Sequence, residues 1–591
     1  MNAESSGGSA PPLLGQACYP PPEALRRAAP LPDAAAYLSF LAHSRHEPEE
    51  FLERQARELA WSRPPEATGG PGRWFPGGAL NLCRECLDRF LPAGAAETVL
   101  CGGIVSGASR ELSRAELLRR LAALAGELAA LGLSPGQRVL LLLPPGEMLA
   151  VALLAVWRLG LCAVPCDPAM EPGRLARRIR DCACAAVVVA PDLKEMDPGL
   201  LPVLRVVART DAQGTSTAPP PVEVSAMHPA LVVADAAGRL LTLPTAGFIL
   251  QAKLAYRWLL DGRGARDRHG FICPSHHVSL LSGFAGALAC GGMAALLPPP
   301  VDAEGWGLSR TLGLRVLTVR GKSLPVGADQ QAIRPAHAGP ELLAVEGETL
   351  EPRTFHWLRE SLFNGDTHVI QVLSRPEGGG FVAGPCPGLI PIRPASVALP
   401  APGLDLLVVD RSGQPCPLNH GGLLALRCAT PGLPLELQRE KPPLVLGVRV
   451  RLDAEGCLWP MGEWSPPRGQ SATSLPELEA ALAAIPGVEQ AAVVAFSDAE
   501  GVSRTAAFVR LTAGVQDVET VRLRLRERFG ENAMPDSIQV VSRLPVSRTG
   551  KLLRSVLRRV ARGEEIPLDE LEAVADPETL RMLASRDPRA S

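Results

Sequence analysis

From residue 112 onward the chain alternates between two hydrophobic periods, and this alternation is what most constrains its fold. Leu117–Leu131 carries apolar residues at helical spacing, and Arg138–Leu143 is a short continuous apolar run. Glu147–Leu159 returns to the helical period, Cys162–Pro165 reads as a short strand, Arg174–Cys182 as a helix and Ala185–Ala190 as a strand. Strands that are apolar on both faces and alternate with amphipathic helices predict an α/β fold with parallel sheets covered by helices. The apolar stretch Val139–Ala163 is interrupted by Pro144, Pro145, Glu147 and Arg158. It therefore reads as a buried strand, turn and helix rather than a membrane span.

At 591 residues the chain exceeds one ordinary core. Residues 1–35, rich in Pro, Ala and Gly, predict a loose arm, and 36–60 suggest short helices. Residues 36–465 form the expected large domain, with a proline-rich, strand-like stretch at 392–452 as a β subdomain. A Pro/Gly break runs from Trp464 to Gly469. The remainder, 466–591, predicts a small α+β domain, with helices at Leu475–Ala484 and Val521–Phe529 and strands at Val488–Ala495 and Ala506–Leu511.

A formal net charge of -2 argues against nucleic acid or an acidic membrane as partner. The 14 cysteines are scattered, with only Cys83/Cys86 and Cys182/Cys184 close together. No second ligand pair stands at zinc spacing, so they read as reduced thiols of a cytoplasmic protein. The first residues show no charged start followed by an apolar run, so secretion is not expected.

Two segments near the ends carry the most specific signal. One is Trp74-Phe75-Pro76-Gly77-Gly78-Ala79-Leu80-Asn81, leading into Cys86-Leu87-Asp88-Arg89. The other is Leu544-Pro545-Val546-Ser547-Arg548-Thr549-Gly550-Lys551. Between them lie Ser134–Val139, Glu171–Asp181, Gly286–Gly291 and Pro340–Leu350. In this order they resemble the AMP-forming acyl-CoA synthetases, and most of all acetyl-CoA synthetase, over about Tyr37 to Leu583. The resemblance implies a large AMP-binding-type domain and a small mobile C-terminal domain. It also implies a two-step reaction, in which a carboxylate attacks ATP to give an acyl-adenylate that CoA's thiol then consumes.

Carried over residue by residue, the resemblance makes Lys551 the catalytic lysine. Arg178 and Arg526 become the grip on CoA's 3′-phosphate, a task suited to guanidinium forks. Gly347, Glu348 and Thr349 form a turn beside the nucleotide, and Glu377 becomes the metal ligand. Other stations depart from the pattern. The family's glycine- and hydroxyl-rich phosphate loop is replaced by Ala234-Asp235-Ala236-Ala237-Gly238-Arg239, in which an acid would face triphosphate and repel it. The pocket-setting tryptophan becomes Ser374, which leaves acetate selectivity open. The ribose aspartate falls on Val448, and Glu463 takes the place of the hinge arginine.

Two readings stay open. In one, the chain is a pseudoenzyme impaired in adenylation that binds CoA or acyl-CoA, or regulates an active paralogous synthetase. In the other, it is a divergent, active ligase using ATP, Mg and CoA on a short-chain carboxylate, with Arg239 and loop amides replacing the lost groups. A weaker third reading keeps only the thioester half-reaction.

Overall fold

The apolar runs become strands and the amphipathic runs helices, largely where the sequence puts them. In the computed structural model, the described residues are 18–564 apart from 106–107, 171, 192–203, 208–217, 237, 266, 298–310, 325–338, 348, 351, 364, 411–412, 465–474, 498–502, 513–517, 530–534, 536 and 547–551. The chain divides into two units, Met1–Pro460 and Met461–Ser591.

In the first unit a hairpin of β1 (Thr98–Val105) and β2 (Ala108–Ser113) leads into α1 (Arg114–Ala130). Ser113 caps this helix by accepting from the Glu116 amide at 3.2 Å, which satisfies one of its orphan donors. Then come β3 (Arg138–Leu142), α2 (Glu147–Arg158), β4 (Cys162–Cys166), α3 (Pro172–Asp181), β5 (Cys184–Val189) and β6 (Leu204–Val207). The hairpin β7 (Pro229–Ala234) and β8 (Leu240–Pro244) completes a six-stranded sheet in the order β8-β7-β4-β3-β5-β6. Its neighbours are parallel except across that hairpin.

Helix α4 (Thr245–Trp258) leads to the second sheet, which takes β9 (Arg268–Ile272), α5 (Val278–Ala289), β10 (Met293–Leu297), β11 (Val316–Arg320) and β12 (Leu342–Glu346), then β13 (His368–Arg375), β14 (Gly380–Gly384) and β15 (Leu399–Pro400). These join the first hairpin in a nine-stranded sheet ordered β15-β14-β13-β12-β11-β9-β10-β1-β2, parallel from β13 to β1. Helices α4 and α5 pack on each other, and α4 touches strands of both sheets. They approach so closely that a Cβ on Gly286 would stand 2.4 Å from the Ala252 carbonyl oxygen, so only glycine fits there. Beyond β15 a four-stranded sheet runs through Leu406–Val409, Gly421–Leu426, Leu444–Leu452 and Leu458–Glu463.

The N-terminal signature serves this packing. The Trp74 indole donates to Gln438 Oε1 at 2.8 Å, tying it to the segment before Leu444. Asn81 donates to the carbonyls of Trp157, Arg158 and Val222, closing off the end of α2. Within residues 18–35 a short helix, Glu23–Ala28, buries Leu25.

The second unit has an antiparallel pair, Val488–Ser497 and Ser503–Leu511, with Ser537–Val540 parallel to the latter. Helices Leu475–Ala483, Val518–Phe529 and Arg554–Arg562 accompany it. Among the described residues, no helix is long and apolar enough to cross a membrane.

Candidate functional site at the carboxyl ends of the parallel strands

In open parallel sheets the loops beyond the strands' carboxyl ends form the natural ligand crevice. Here the apolar strand interiors give way at that edge to polar residues, since the final residues of β11, β12 and β13 are Arg320, Glu346 and Arg375. His276 and His277 follow β9, and the hairpin turn after β7 supplies Asp235.

Glu346 is 1% exposed and Glu377 3%. The Ser374 hydroxyl donates to Glu346 Oε1 at 2.5 Å, while His277 Nδ1 lies 3.7 Å from Oε2, too far for a hydrogen bond. His277 Nδ1 instead pairs with Ser279 Oγ at 2.7 Å. Burial pushes the Glu346 carboxyl above its ordinary range, against the Arg320 charge and the Ser374 hydrogen bond. Burial, with Arg320, His276 and Arg375, pushes His277 well below 6.5, so its imidazole is neutral at physiological pH.

Arg375 donates to the Gly447 carbonyl at 2.8 Å and to Glu377 Oε1 at 3.4 Å. Gly447 has φ +61, and a Cβ there would meet both of these side chains within 2.6 Å. Burial raises Glu377 as well, with the Arg375 charge offsetting part of it and Asp235 adding to it. Four buried side-chain atoms at this edge lack any hydrogen-bond partner: Glu346 Oε2, Glu377 Oε2, Arg375 Nε and His276 Nδ1. Folded proteins pair nearly all such atoms, so these four exceptions make the edge a candidate ligand site.

The Asp235 turn differs from its sequence-based reading. Its carboxylate accepts from the Arg239 amide at 2.8 Å and from the Arg239 side chain at 3.0 Å. With the Asp235 amide on the Arg239 carbonyl and the Gly238 amide on the Asp235 carbonyl, the turn closes on itself. The acid is thus paired within its own turn, where it engages both the amide and the side chain of Arg239.

The other predicted residues are spread along the chain. Gly347 takes φ +99 at the end of β12, and Thr349 Oγ1 donates to the Pro460 carbonyl at 2.8 Å, so this turn is anchored to the β subdomain. Arg178 sits on α3, half-buried, where its charge reaches His276 and Cys166. Val448 is buried in Leu444–Leu452. Arg526 lies on Val518–Phe529 in the second unit. Glu348, Lys551 and the 465–468 part of the hinge lie outside the described residues.

The donor set suits a resident Mg²⁺ poorly. Glu377 offers one unpaired oxygen beside a guanidinium, and among the described residues no cluster of three metal-binding side chains occurs. Sequence reasoning passed over Glu346, His277 and Arg375. The signal for Glu346 was an acid closing the wholly apolar run Leu342–Val345.

Residues 95–236 match the AMP-binding enzyme family, 477–551 the AMP-binding enzyme C-terminal domain, and 37–86 the acetyl-coenzyme A synthetase N-terminus. These three matches, in this order, make the chain similar to the AMP-forming acyl-CoA synthetases. Acetyl-coenzyme A synthetases of Thiobacillus denitrificans and Streptomyces coelicolor are each 26% identical to it. The matches cover 93% and 96% of this chain and 95% and 97% of those proteins. In fold it is similar to the acetoacetyl-CoA synthetase from Streptomyces lividans, with a TM-score of 0.73 at 20% identity over 96% of this chain and 98% of that one. A Brucella canis acyl-CoA synthetase aligns with a TM-score of 0.60 at 21% identity over 86% and 96%. The superfamily's large and small domains thus account for both units, and the polar edge lies in the large one.

Proposed function

We propose that this acetyl-CoA synthetase-like protein is a pseudoenzyme impaired in carboxylate adenylation. It keeps small-molecule binding at the carboxyl edge and CoA or acyl-CoA binding through Arg178 and Arg526, and it acts as a regulatory partner of an active paralogous synthetase. The observation that carries this reading is the closed Asp235–Arg239 turn. Adenylation depends on amides and cations pre-aimed at the phosphates, and here both are consumed within the loop. Apolar Val448 at the ribose position and acidic Glu463 at the hinge point the same way. A cytoplasmic setting fits the fourteen free cysteines, and a net charge of -2 gives no footprint for nucleic acid.

The alternative is an active short-chain acid–CoA ligase that draws on ATP and Mg, with Lys551 catalytic, Glu377 on the metal and the turn Gly347, Glu348 and Thr349 against the nucleotide. The C-terminal family match, which runs to Lys551, favours it. Carboxylate-dependent ATP–pyrophosphate exchange separates the two. The leading reading expects none with acetate, propionate or butyrate. Exchange that vanishes in Lys551→Ala would establish the ligase instead.

A further inference from the structure

The position of the pocket-setting tryptophan is occupied by Ser374, and its hydroxyl is committed to Glu346 at 2.5 Å. A tryptophan there would present an apolar wall. In its place stands a buried carboxyl with one oxygen satisfied and the other, Oε2, without a donor. His277 stands beside that oxygen at 3.7 Å and is occupied with Ser279. The neighbouring Arg375 has the opposite need, since its Nε is a buried donor without an acceptor. The edge therefore lacks both a donor and an acceptor.

We propose that the Ser374–Glu346–His277 pocket takes a short carboxylic acid bearing a hydroxyl or amino group, and that Glu346 selects for that group. The ligand's donor meets Glu346 Oε2, and its carboxylate answers the cationic side of the edge at Arg375. An acid with an unadorned acyl chain still answers Arg375 but leaves Glu346 Oε2 without a donor. A site built to hydrogen-bond a ligand group discriminates strongly against the analogue that lacks it, whereas an apolar pocket distinguishes methylenes weakly. The inference rests on the reading that this edge still binds small molecules, and it does not require adenylation.

The test is calorimetric titration of the full-length protein, without ATP, using glycolate, lactate and β-alanine against acetate and propionate. The expected result is that acids with a donor bind about 10- to 100-fold more tightly. Glu346→Val should bring that ratio to about one, with the fold checked by circular dichroism. Glu346→Gln, which keeps an acceptor but no charge, should retain part of the preference for lactate and lose that for β-alanine. A purely structural role for Glu346 would not separate these two ligands. Equal binding of propionate and lactate, a preference that survives in Glu346→Val, or no binding of any acid would each overturn the proposal. Exchange assays run in parallel keep the outcomes apart. Exchange with lactate would sink the loss of adenylation and support the pocket, while absent binding with absent exchange would sink the pocket alone.

Discussion

The two ends of the nine-stranded sheet hold buried carboxylates that are partnered differently, although burial raises Asp261 at one end as it raises Glu346 and Glu377 at the other. At the amino edge, Arg315 bonds Asp261 at 2.6 Å and Asp267 at 2.6 Å, Arg263 bonds Asp261 at 2.6 Å, and the Tyr256 hydroxyl donates to Asp267 at 2.9 Å. A cavity of about 650 Å³ opens there, yet its cations are matched, Lys253 with Glu85 and Arg257 with Glu58, each at 2.8 Å. Burial would raise Asp267, but the hydrogen bond and charge of Arg315 carry it below its ordinary range. At the carboxyl edge, Glu346 and Glu377 are raised and each keeps an unpaired oxygen. None of the carboxyl-edge residues lines that cavity. Both ends keep unpaired buried atoms, His269 Nδ1, His368 Nε2 and Arg114 Nε at the amino edge among them, but of the two only the carboxyl edge adds unpaired carboxylate oxygens, Glu346 Oε2 and Glu377 Oε2, among the described residues.

If the amino edge is structural, breaking it costs the most. Arg315→Met takes the shared guanidinium from two buried carboxylates, leaving Asp261 with Arg263 and Asp267 with Tyr256, and should lower stability by about 3 kcal/mol in urea denaturation. A loss near zero would erase the contrast. The amino edge should also be acid-sensitive, as the depressed His277 makes the carboxyl edge. Burial holds His269 at about 3 and His368 at about 4, below the ordinary 6.5. Both stay neutral when folded but take up protons when unfolded, so their contribution is complete above pH 6.5 and is lost as pH falls toward the folded values. Each should cost about 2 kcal/mol between pH 6.5 and pH 5, read from the midpoint of thermal unfolding, and His368→Gln should flatten that slope.

Gly447→Ala sharpens the carboxyl side. The added Cβ would stand 2.5 Å from Glu377 Oε1 at φ +61, and a loss of about 1–3 kcal/mol is expected. Glu346→Val should be neutral or stabilising by about 1 kcal/mol, since it replaces a half-satisfied buried carboxyl with an apolar side chain. A large loss there would mean that Glu346 is structural. The smallest effect belongs to the surface turn. Arg239 is about half exposed, so Arg239→Ala should cost less than about 0.5 kcal/mol by chemical denaturation.

Much of the architecture was legible in the chain. The alternating periods gave the helix–strand order, because burial on one or two faces leaves a local imprint that needs no knowledge of neighbours. The altered phosphate loop, Ser374 and Val448 were visible as departures from a resemblance. What those departures do was not visible. Asp235 read as an acid facing triphosphate, and only the closed hairpin shows it paired with Arg239. Glu346 and Ser374 stand 28 residues apart, and Arg315 and Asp261 stand 54 apart, so no local pattern joins them. Parallel strands set side by side bring such residues to a common edge, and their register decides which polar atoms find partners and which are left for a ligand. The sequence by itself determined the order of elements and the departure of residues 234–239 from the family's phosphate-loop pattern. The tertiary structure alone decided which buried carboxylates are paired and which keep a free oxygen, since a hydrogen bond depends on distances that only packing sets.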